Sequence, residues 1–188
     1  EIDGERSAFV ARAIGEARRA KDPYEIDRMR QAAAVSVAGH MTALRIASPG
    51  MTERRLQVEL ETDFFRAGAA RTAYGSIVGT GSNGAVLHFE PGQRTLAEGE
   101  IVLIDAAGEV DGYAADITRT FPVSGRFSEE QAELYDLVYA VQRKAIEGVR
   151  PGAEYKDLHM EAANGIAQGL ADMGILHGTA NDLVERDA

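Results

Sequence analysis

Hydrophobic residues in the first third of the chain recur at three- and four-residue steps, which is the spacing of one face of an α-helix. The stripe consists of Ile26, Met29, Ala33, Val37, Met41 and Leu44. Pro23 suits the first turn of this helix, because that position needs no backbone N–H, and Ser48-Pro49-Gly50 ends it. The pattern therefore predicts a long amphipathic helix between these two breaks.

Two further helices flank this one. After the Pro-Gly break, Thr52 is a good N-cap for a helix that carries apolar residues on one side. Those residues are Leu56, Leu60, Phe64 and Phe65. Residues 1–20 are rich in Ala and Arg with weaker apolar spacing, and they predict a short lead-in helix that Lys21-Asp22-Pro23 breaks.

From Tyr74 onward the pattern changes to short β-branched runs separated by glycines, which predict strands. The runs are residues 76–78, 85–87 and 101–104. Asp111-Gly112 suits the two central positions of a type I′ hairpin turn, and residues 114–123 form the predicted returning strand.

Helical spacing returns after the strands, from Ser128 to about Val149 and from about Glu154 to Met173. Both helix pairs therefore have the order helix, Pro-Gly turn, helix, with Pro49-Gly50 in the first and Pro151-Gly152 in the second. An internal duplication and a coincidence within Ala-rich helices both explain this pattern. A duplication would mean that the chain stops in the middle of its second half.

Two aspartates of the predicted hairpin meet on one face of it. Pairing the strands outward from the Asp111-Gly112 turn places Asp105 opposite Thr118, and Asp116 lies two residues from Thr118. Asp105 also follows four apolar residues, and a buried carboxylate is costly unless it is paired, hydrogen-bonded or bound to a metal. The pair can hold a hard cation such as magnesium, manganese or calcium, or it can belong to an ordinary polar face with Asp105 paired to Arg119 or to a backbone N–H.

His88 is the second candidate for chemistry. It follows the glycine-rich run of residues 79–84, and glycines allow a backbone to approach a ligand closely. A neutral histidine there can donate a hydrogen bond to a reacting carbonyl group. The alternative is a histidine at a strand edge whose ring is hydrogen-bonded and has no chemical role. The run is neither a dinucleotide fingerprint nor a P-loop, so it indicates no cofactor-binding residues. His40 and His159 are expected to be structural or surface residues, and His177-Gly178 a helix end capped by Gly178.

Composition narrows the class of protein further. The 188 residues include no cysteine, which excludes a disulfide scaffold and a cysteine nucleophile. The net charge of −10 repels nucleic-acid phosphates and anionic membranes, so neither is an expected partner. No signal segment opens the chain and no apolar run reaches the length of a membrane span, which favours the cytoplasm.

Residues 21–188 resemble the catalytic domain of the aminopeptidase P (Xaa-Pro aminopeptidase) family of pita-bread metallopeptidases. The resemblance is carried by IVGTGSNG at residues 77–84 with Leu87-His88, by LIDA at residues 103–106, and by GYAADITRTFPV at residues 112–123. It implies the α+β pita-bread (creatinase/aminopeptidase-like) fold. The expected content is the first α-α-β half and the two helices of the second half, with the C-terminal strands missing.

The resemblance also implies a site and an activity. Asp105 falls on the aspartate that chelates one metal ion, Asp116 on the aspartate that bridges two ions, and His88 on the catalytic histidine that contacts the substrate. The ions are usually manganese, although other divalent metals are compatible, and the reaction releases the N-terminal residue from Xaa-Pro peptides. A proline-containing peptide is the implied partner, and the full-length form is expected to be a homo-oligomer.

The sequence departs from the family at the remaining three metal ligands, a histidine and two glutamates, which have no counterpart here. We therefore expect a truncated catalytic domain at residues 21–188 that is inactive alone, preceded by a lead-in or remnant of an N-terminal domain at residues 1–20. Two alternatives stay open: a non-catalytic pita-bread module that binds peptides or proteins, and a prolidase-type dipeptidase.

Overall fold

The computed structural model describes residues 4–185, which divide into two compact units between Arg126 and Phe127. The first unit contains α1 (Gly4–Ala17), α2 (Pro23–Ile46), α3 (Glu53–Arg66), β1 (Arg71–Thr72), β2 (Ile77–Thr80), a 3₁₀ helix (Gly81–Ala85), β3 (Ile101–Ala106), β4 (Gly108–Val110), β5 (Tyr113–Ala114) and β6 (Ile117–Pro122). The second contains α4 (Glu129–Gly148), α5 (Tyr155–Asp172) and α6 (Ala180–Glu185). Among these helices of residues 4–185, none is both long and apolar enough to cross a membrane.

Side-chain caps begin the helices where the sequence predicts them. The Asp22 carboxylate accepts a hydrogen bond from the Glu25 N–H, and the Glu25 carboxylate accepts one from the Asp22 N–H, both at 2.8 Å. The Thr52 hydroxyl accepts from the Arg55 N–H at 3.1 Å. Each cap satisfies backbone donors that have no partner inside the helix, so the starts of α2 and α3 are set locally.

The buried face of α2 differs from the predicted stripe. Val37, Met41 and Leu44 are 44–48% exposed, and most of the residues that face the core are small. They are Ala32, Val35, Ser36, Gly39, His40, Thr42 and Ala43. The reason is a close helix crossing, because a Cβ added at Gly39 would lie 2.6 Å from the Leu60 carbonyl oxygen of α3.

The core of the first unit lies between α2, α3 and the strands. Leu56, Leu60 and Phe64 of α3 are fully buried, as predicted, whereas Phe65 is 50% exposed. The strands contribute Val78, Val102, Ile104 and Ala106 to the same apolar cluster. Alternation along β3 buries Val102, Ile104 and Ala106 and turns Asp105 to the other face of the strand.

The strands form two antiparallel three-stranded sheets, one in the order β1-β4-β5 and the other in the order β2-β3-β6. The Asp111-Gly112 turn is confirmed, since Val110 pairs with Tyr113 and both turn residues have positive φ, 50° and 83°. The register predicted from it is also confirmed, because Asp105 pairs with Thr118.

Two predicted strands are wrong in detail. Residues 85–87 form no strand, because the glycine-rich segment before them closes a 3₁₀ helix, and Val86 and Leu87 are 52% and 91% exposed. The returning strand at residues 114–123 is interrupted at Ala115-Asp116, so it appears as β5 and β6.

The second unit repeats the local design of α2 and α3. Gly152 in its Pro-Gly turn has φ 85°, and Gly50 in the first turn has φ 87°. Both helix pairs also cross at small residues, because a Cβ added at Gly169 of α5 would lie 2.2 Å from the Leu137 side chain of α4. The predicted cap at Gly178 is wrong: α5 ends at Asp172, and the first residue of positive φ after it is Gly174, at 73°, whereas Gly178, with φ 136°, lies in the segment between α5 and α6.

Candidate metal and substrate site

Asp105 and Asp116 lie together at the end of the β3–β6 pairing. The Tyr74 hydroxyl lies 2.5 Å from Oδ1 of Asp105 and 2.8 Å from Oδ1 of Asp116, and it can donate its single proton to either carboxylate. The two carboxylates are therefore within about 5 Å of each other, a separation at which like charges repel strongly. The register that joins β3 to β6 brings both side chains to the same face.

Tyr74 is a site residue that sequence reasoning missed. It precedes β2 and is far in sequence from both aspartates, so neither periodicity nor turn chemistry indicated the contact. Burial and the hydrogen bonds to Asp105 and Asp116 raise the pKa of the Tyr74 phenol well above its usual range. The phenol therefore stays a neutral hydrogen-bond donor towards the carboxylates.

His88 lines the same cleft as the two aspartates. The cleft has a volume of about 650 Å³, and Tyr74, Asp105, Asp116 and His88 all contribute to its wall. The His88 backbone has φ 52°, a left-handed conformation that few residues other than glycine adopt. Backbone strain of this kind persists only where surrounding structure holds the residue in place.

Three further residues of the cleft wall carry polar groups that the sequence did not single out. Arg54 and Gln57 project from α3, and the Arg54 guanidinium donates to the Gln57 amide oxygen at 2.7 Å. Ser76 is 3% exposed, and its hydroxyl has no hydrogen-bond partner among residues 4–185. A buried hydroxyl of this kind is available to a bound molecule.

The donor set fits part of a divalent cation site. Carboxylate oxygens suit hard cations, but two carboxylates supply only part of a coordination shell. Within residues 4–185 no group of three or more His, Asp or Glu side chains is close enough to hold a metal ion. The alternative pairing of Asp105 with Arg119 does not occur in this part of the chain, because the Arg119 guanidinium donates to the Thr118 carbonyl oxygen at 2.7 Å.

His40 lies beneath the site and has a structural role, as predicted. It is 5% exposed, and its Nε2 lies 3.1 Å from the carbonyl oxygen of Ala106, the residue after Asp105. Burial lowers the pKa of His40. The neutral ring therefore contacts the end of β3 from the core side and stabilises it.

Comparison with known proteins adds independent information. Residues 27–186 match metallopeptidase family M24. The chain is 41% identical over 175 residues to an Xaa-Pro aminopeptidase of Haemophilus influenzae, and 38% identical over 175 residues to one of Escherichia coli. Each alignment covers 93% of this chain and 41% or 40% of the relative, so the chain spans about two fifths of the length of these relatives.

Solved structures give the same result for the fold. The structure of Pseudomonas aeruginosa aminopeptidase PepP superposes with a TM-score of 0.85 at 40% identity, over 89% of this chain and 38% of that one. Proline aminopeptidase P II of Yersinia pestis has the same TM-score, identity and coverage. These similarities confirm the predicted fold class and the resemblance that the motifs carry.

Proposed function

Because the chain belongs to metallopeptidase family M24, we propose that it forms part of the active site of a metal-dependent aminopeptidase that releases the N-terminal residue from Xaa-Pro peptides. The observation that carries this proposal is the convergence of Asp105, Asp116 and His88 on one cleft. The printed names of the relatives, Xaa-Pro aminopeptidase in both bacteria, support the choice of substrate class.

In this proposal Asp105 and Asp116 hold two divalent ions, and the ions are manganese. Hard carboxylate oxygens favour manganese, magnesium or calcium over copper. Bound divalent ions supply Lewis acidity and lower the pKa of water at such sites. Tyr74 orients the two carboxylates, because its hydroxyl contacts one oxygen of each and leaves the other oxygens free for the ions.

His88 is the proposed catalytic histidine. Its imidazole would donate a hydrogen bond to the carbonyl oxygen of the peptide bond before proline, where negative charge develops during attack by water. The cleft that it shares with the aspartates is large enough for a short peptide, and Ser76, Arg54 and Gln57 supply polar groups along its wall.

The remaining expectations are part of the same proposal. We propose a lead-in segment at residues 1–20, a catalytic domain that begins at residue 21, a homo-oligomer as the full-length form, and a cytoplasmic location. The apolar stripe on the outer face of α2, which includes Val37, Met41 and Leu44, supports association, because large exposed apolar patches mark interaction surfaces.

The test is hydrolysis of Xaa-Pro peptides by the full-length gene product and by this 188-residue chain, each with added manganese. We expect the full-length protein to release the first residue, and this chain alone to be inactive. Peptides with alanine in place of proline control for sequence specificity. In the full-length protein, Asp116→Asn is expected to abolish turnover, and His88→Ala to lower kcat by about a hundredfold or more. Cleavage restricted to dipeptides would indicate a prolidase, and peptide binding without cleavage a non-catalytic module.

A further inference from the structure

Glu53, the first residue of α3, is a buried carboxylate outside the cleft wall. It is 0% exposed, and among residues 4–185 no cation pairs with it. A buried charge is costly unless hydrogen bonds compensate it. An acidic residue in the first turn of a helix is common, but it normally lies at the surface, where the helix dipole alone favours it. The burial of Glu53 therefore requires another explanation.

That explanation is a set of three hydrogen bonds to one loop. Glu53 Oε1 accepts from the Thr80 N–H at 2.9 Å and from the Asn83 side-chain amide at 2.8 Å, and Oε2 accepts from the Gly92 N–H at 3.3 Å. Thr80 is the last residue of β2, and Gly92 directly follows Pro91 in the segment after the turn at Leu87-His88. The carboxylate thus joins both ends of residues 81–91, which we name the His88 loop.

The backbone at the start of α3 reinforces the attachment. The Glu53 N–H donates to the Arg94 carbonyl oxygen, and the Arg54 N–H donates to the Gly92 carbonyl oxygen, both at 3.0 Å. The C-terminal end of the His88 loop is therefore held by backbone bonds as well as by the carboxylate. At its N-terminal end the Thr80 N–H and the Asn83 amide both donate to Glu53, while the Thr80 hydroxyl donates to Glu100 at 3.0 Å and the Arg94 guanidinium donates to the Ser82 hydroxyl at 3.1 Å.

The tip of the His88 loop has little packing of its own. Val86 and Leu87, directly before His88, are 52% and 91% exposed, and His88 itself has a left-handed backbone conformation. A strained residue beside exposed neighbours keeps its orientation only if the ends of its loop are fixed. Glu53 is the single side chain described here that binds both ends.

We propose that Glu53 is a positioning residue that holds the His88 loop so that His88 faces Asp105 and Asp116. The role of His88 in this statement rests on the proposed function, whereas the attachment of the loop does not. Glu53 acts through hydrogen bonds to the loop and does not touch the substrate.

Glu53→Gln is the informative substitution, because it keeps the size of the side chain and replaces one acceptor oxygen by a donor NH₂. That NH₂ must face either Gly92 or the Thr80 and Asn83 donors, so at least one contact is lost. Glu59→Gln is the matched control on the same helix, since the one ion pair of Glu59 within residues 4–185 is with Arg55 at the surface. Asn83→Ala removes the hydrogen bond between Asn83 and Glu53 from the loop side. It tests the same attachment if Glu53→Gln does not fold.

The first measurement needs no activity. Amide hydrogen exchange in this chain is expected to be at least about tenfold faster at Thr80 or at Gly92, whichever faces the new NH₂ group, in Glu53→Gln than in the parent or in Glu59→Gln. In the same samples the NMR signals of the His88 ring should shift, while those of His40, His159 and His177 stay in place. Unchanged exchange at Thr80 and Gly92 together with an unchanged His88 signal would overturn the proposal.

The second measurement is a double-mutant cycle in the full-length protein. Glu53→Gln should lower kcat by about tenfold to a hundredfold with little change in KM, as expected for a misplaced catalytic group. In a His88→Ala background the same substitution should have almost no further effect. Full additivity would show that Glu53 does not act through His88. If the parent does not cleave Xaa-Pro peptides, or if His88→Ala has full activity, the proposed function fails, and the exchange data still decide on the attachment.

Discussion

Replacing Tyr74 by phenylalanine removes only the hydroxyl that lies between Asp105 and Asp116. The hydroxyl is 2.5 Å and 2.8 Å from the two Oδ1 atoms, so the carboxylates face each other across it. Two unit charges about 5 Å apart repel by about 3 kcal/mol at an effective dielectric constant of about 20. The phenol offsets part of this repulsion by donating its proton. Without it, the two carboxylates lose their shared donor.

The expected cost is about 1.5–3 kcal/mol in the free energy of unfolding at neutral pH, the range for a hydrogen bond to a charged group. For a chain of this size that is a fall of roughly 3–10 °C in Tm. Urea unfolding followed by circular dichroism, in a buffer with a metal chelator, measures the difference directly. The chelator matters because a bound cation would itself neutralise the aspartates.

The control is Tyr24→Phe, because Tyr24 is 60% exposed. Its loss of a hydroxyl should change the stability by less than about 0.5 kcal/mol. A difference of less than about 0.5 kcal/mol between the two variants would refute the view that Tyr74 holds the aspartates together. A second readout is the tyrosinate absorbance during alkaline titration. Because burial and the hydrogen bonds to Asp105 and Asp116 raise the pKa of Tyr74, one of the six phenols of the parent should stay protonated until the fold is lost, and Tyr74→Phe should lack this phenol.

Three further predictions concern the frame of the site. Because burial lowers the pKa of His40, its imidazole binds a proton more readily in the unfolded chain than in the folded chain. The free energy of unfolding should therefore fall, as the pH is lowered below about 6.5, by up to about 1.4 kcal/mol per pH unit. Urea unfolding of His40→Gln should lack this loss. Gly39→Ala should lower the free energy of unfolding by about 1–3 kcal/mol, because the new methyl group would clash with the Leu60 carbonyl oxygen. The control is Gly15→Ala in α1, whose methyl group has no atom within 4 Å and should not destabilise the fold in the same assay. Gly112→Ala should cost about 1–2 kcal/mol in thermal unfolding, since φ is 83° there, and a variant as stable as the parent would contradict the type I′ turn.

The positions of Asp105 and Asp116 were predictable because they depend on local rules. A two-residue turn at Asp111-Gly112 and the two-residue period of a strand are enough to place Asp105 opposite Thr118. The Tyr74 contact was not predictable in this way, because it joins residues that are distant in sequence through packing alone.

The errors have physical causes of the same kind. Hydrophobicity alone suggested that Val37, Met41 and Leu44 face the core, whereas the close crossing at Gly39 selects small residues for that face. Glu53 was not singled out from the sequence, because only its burial reveals the attachment to the His88 loop. Both features depend on how closely two segments approach, which periodicity does not measure.

The Asp111-Gly112 hairpin also limits how the chain can change in length. Because successive strand residues point to opposite faces, one residue inserted between Asp105 and Asp116 would leave the first in place and turn the second to the other side of the sheet. An insertion of two residues at the tip would lengthen the hairpin and preserve the pairing of Asp105 with Thr118. Length variation that retains the two-aspartate site should therefore occur in pairs of residues at this turn, while Gly112 itself stays restricted by its φ of 83°.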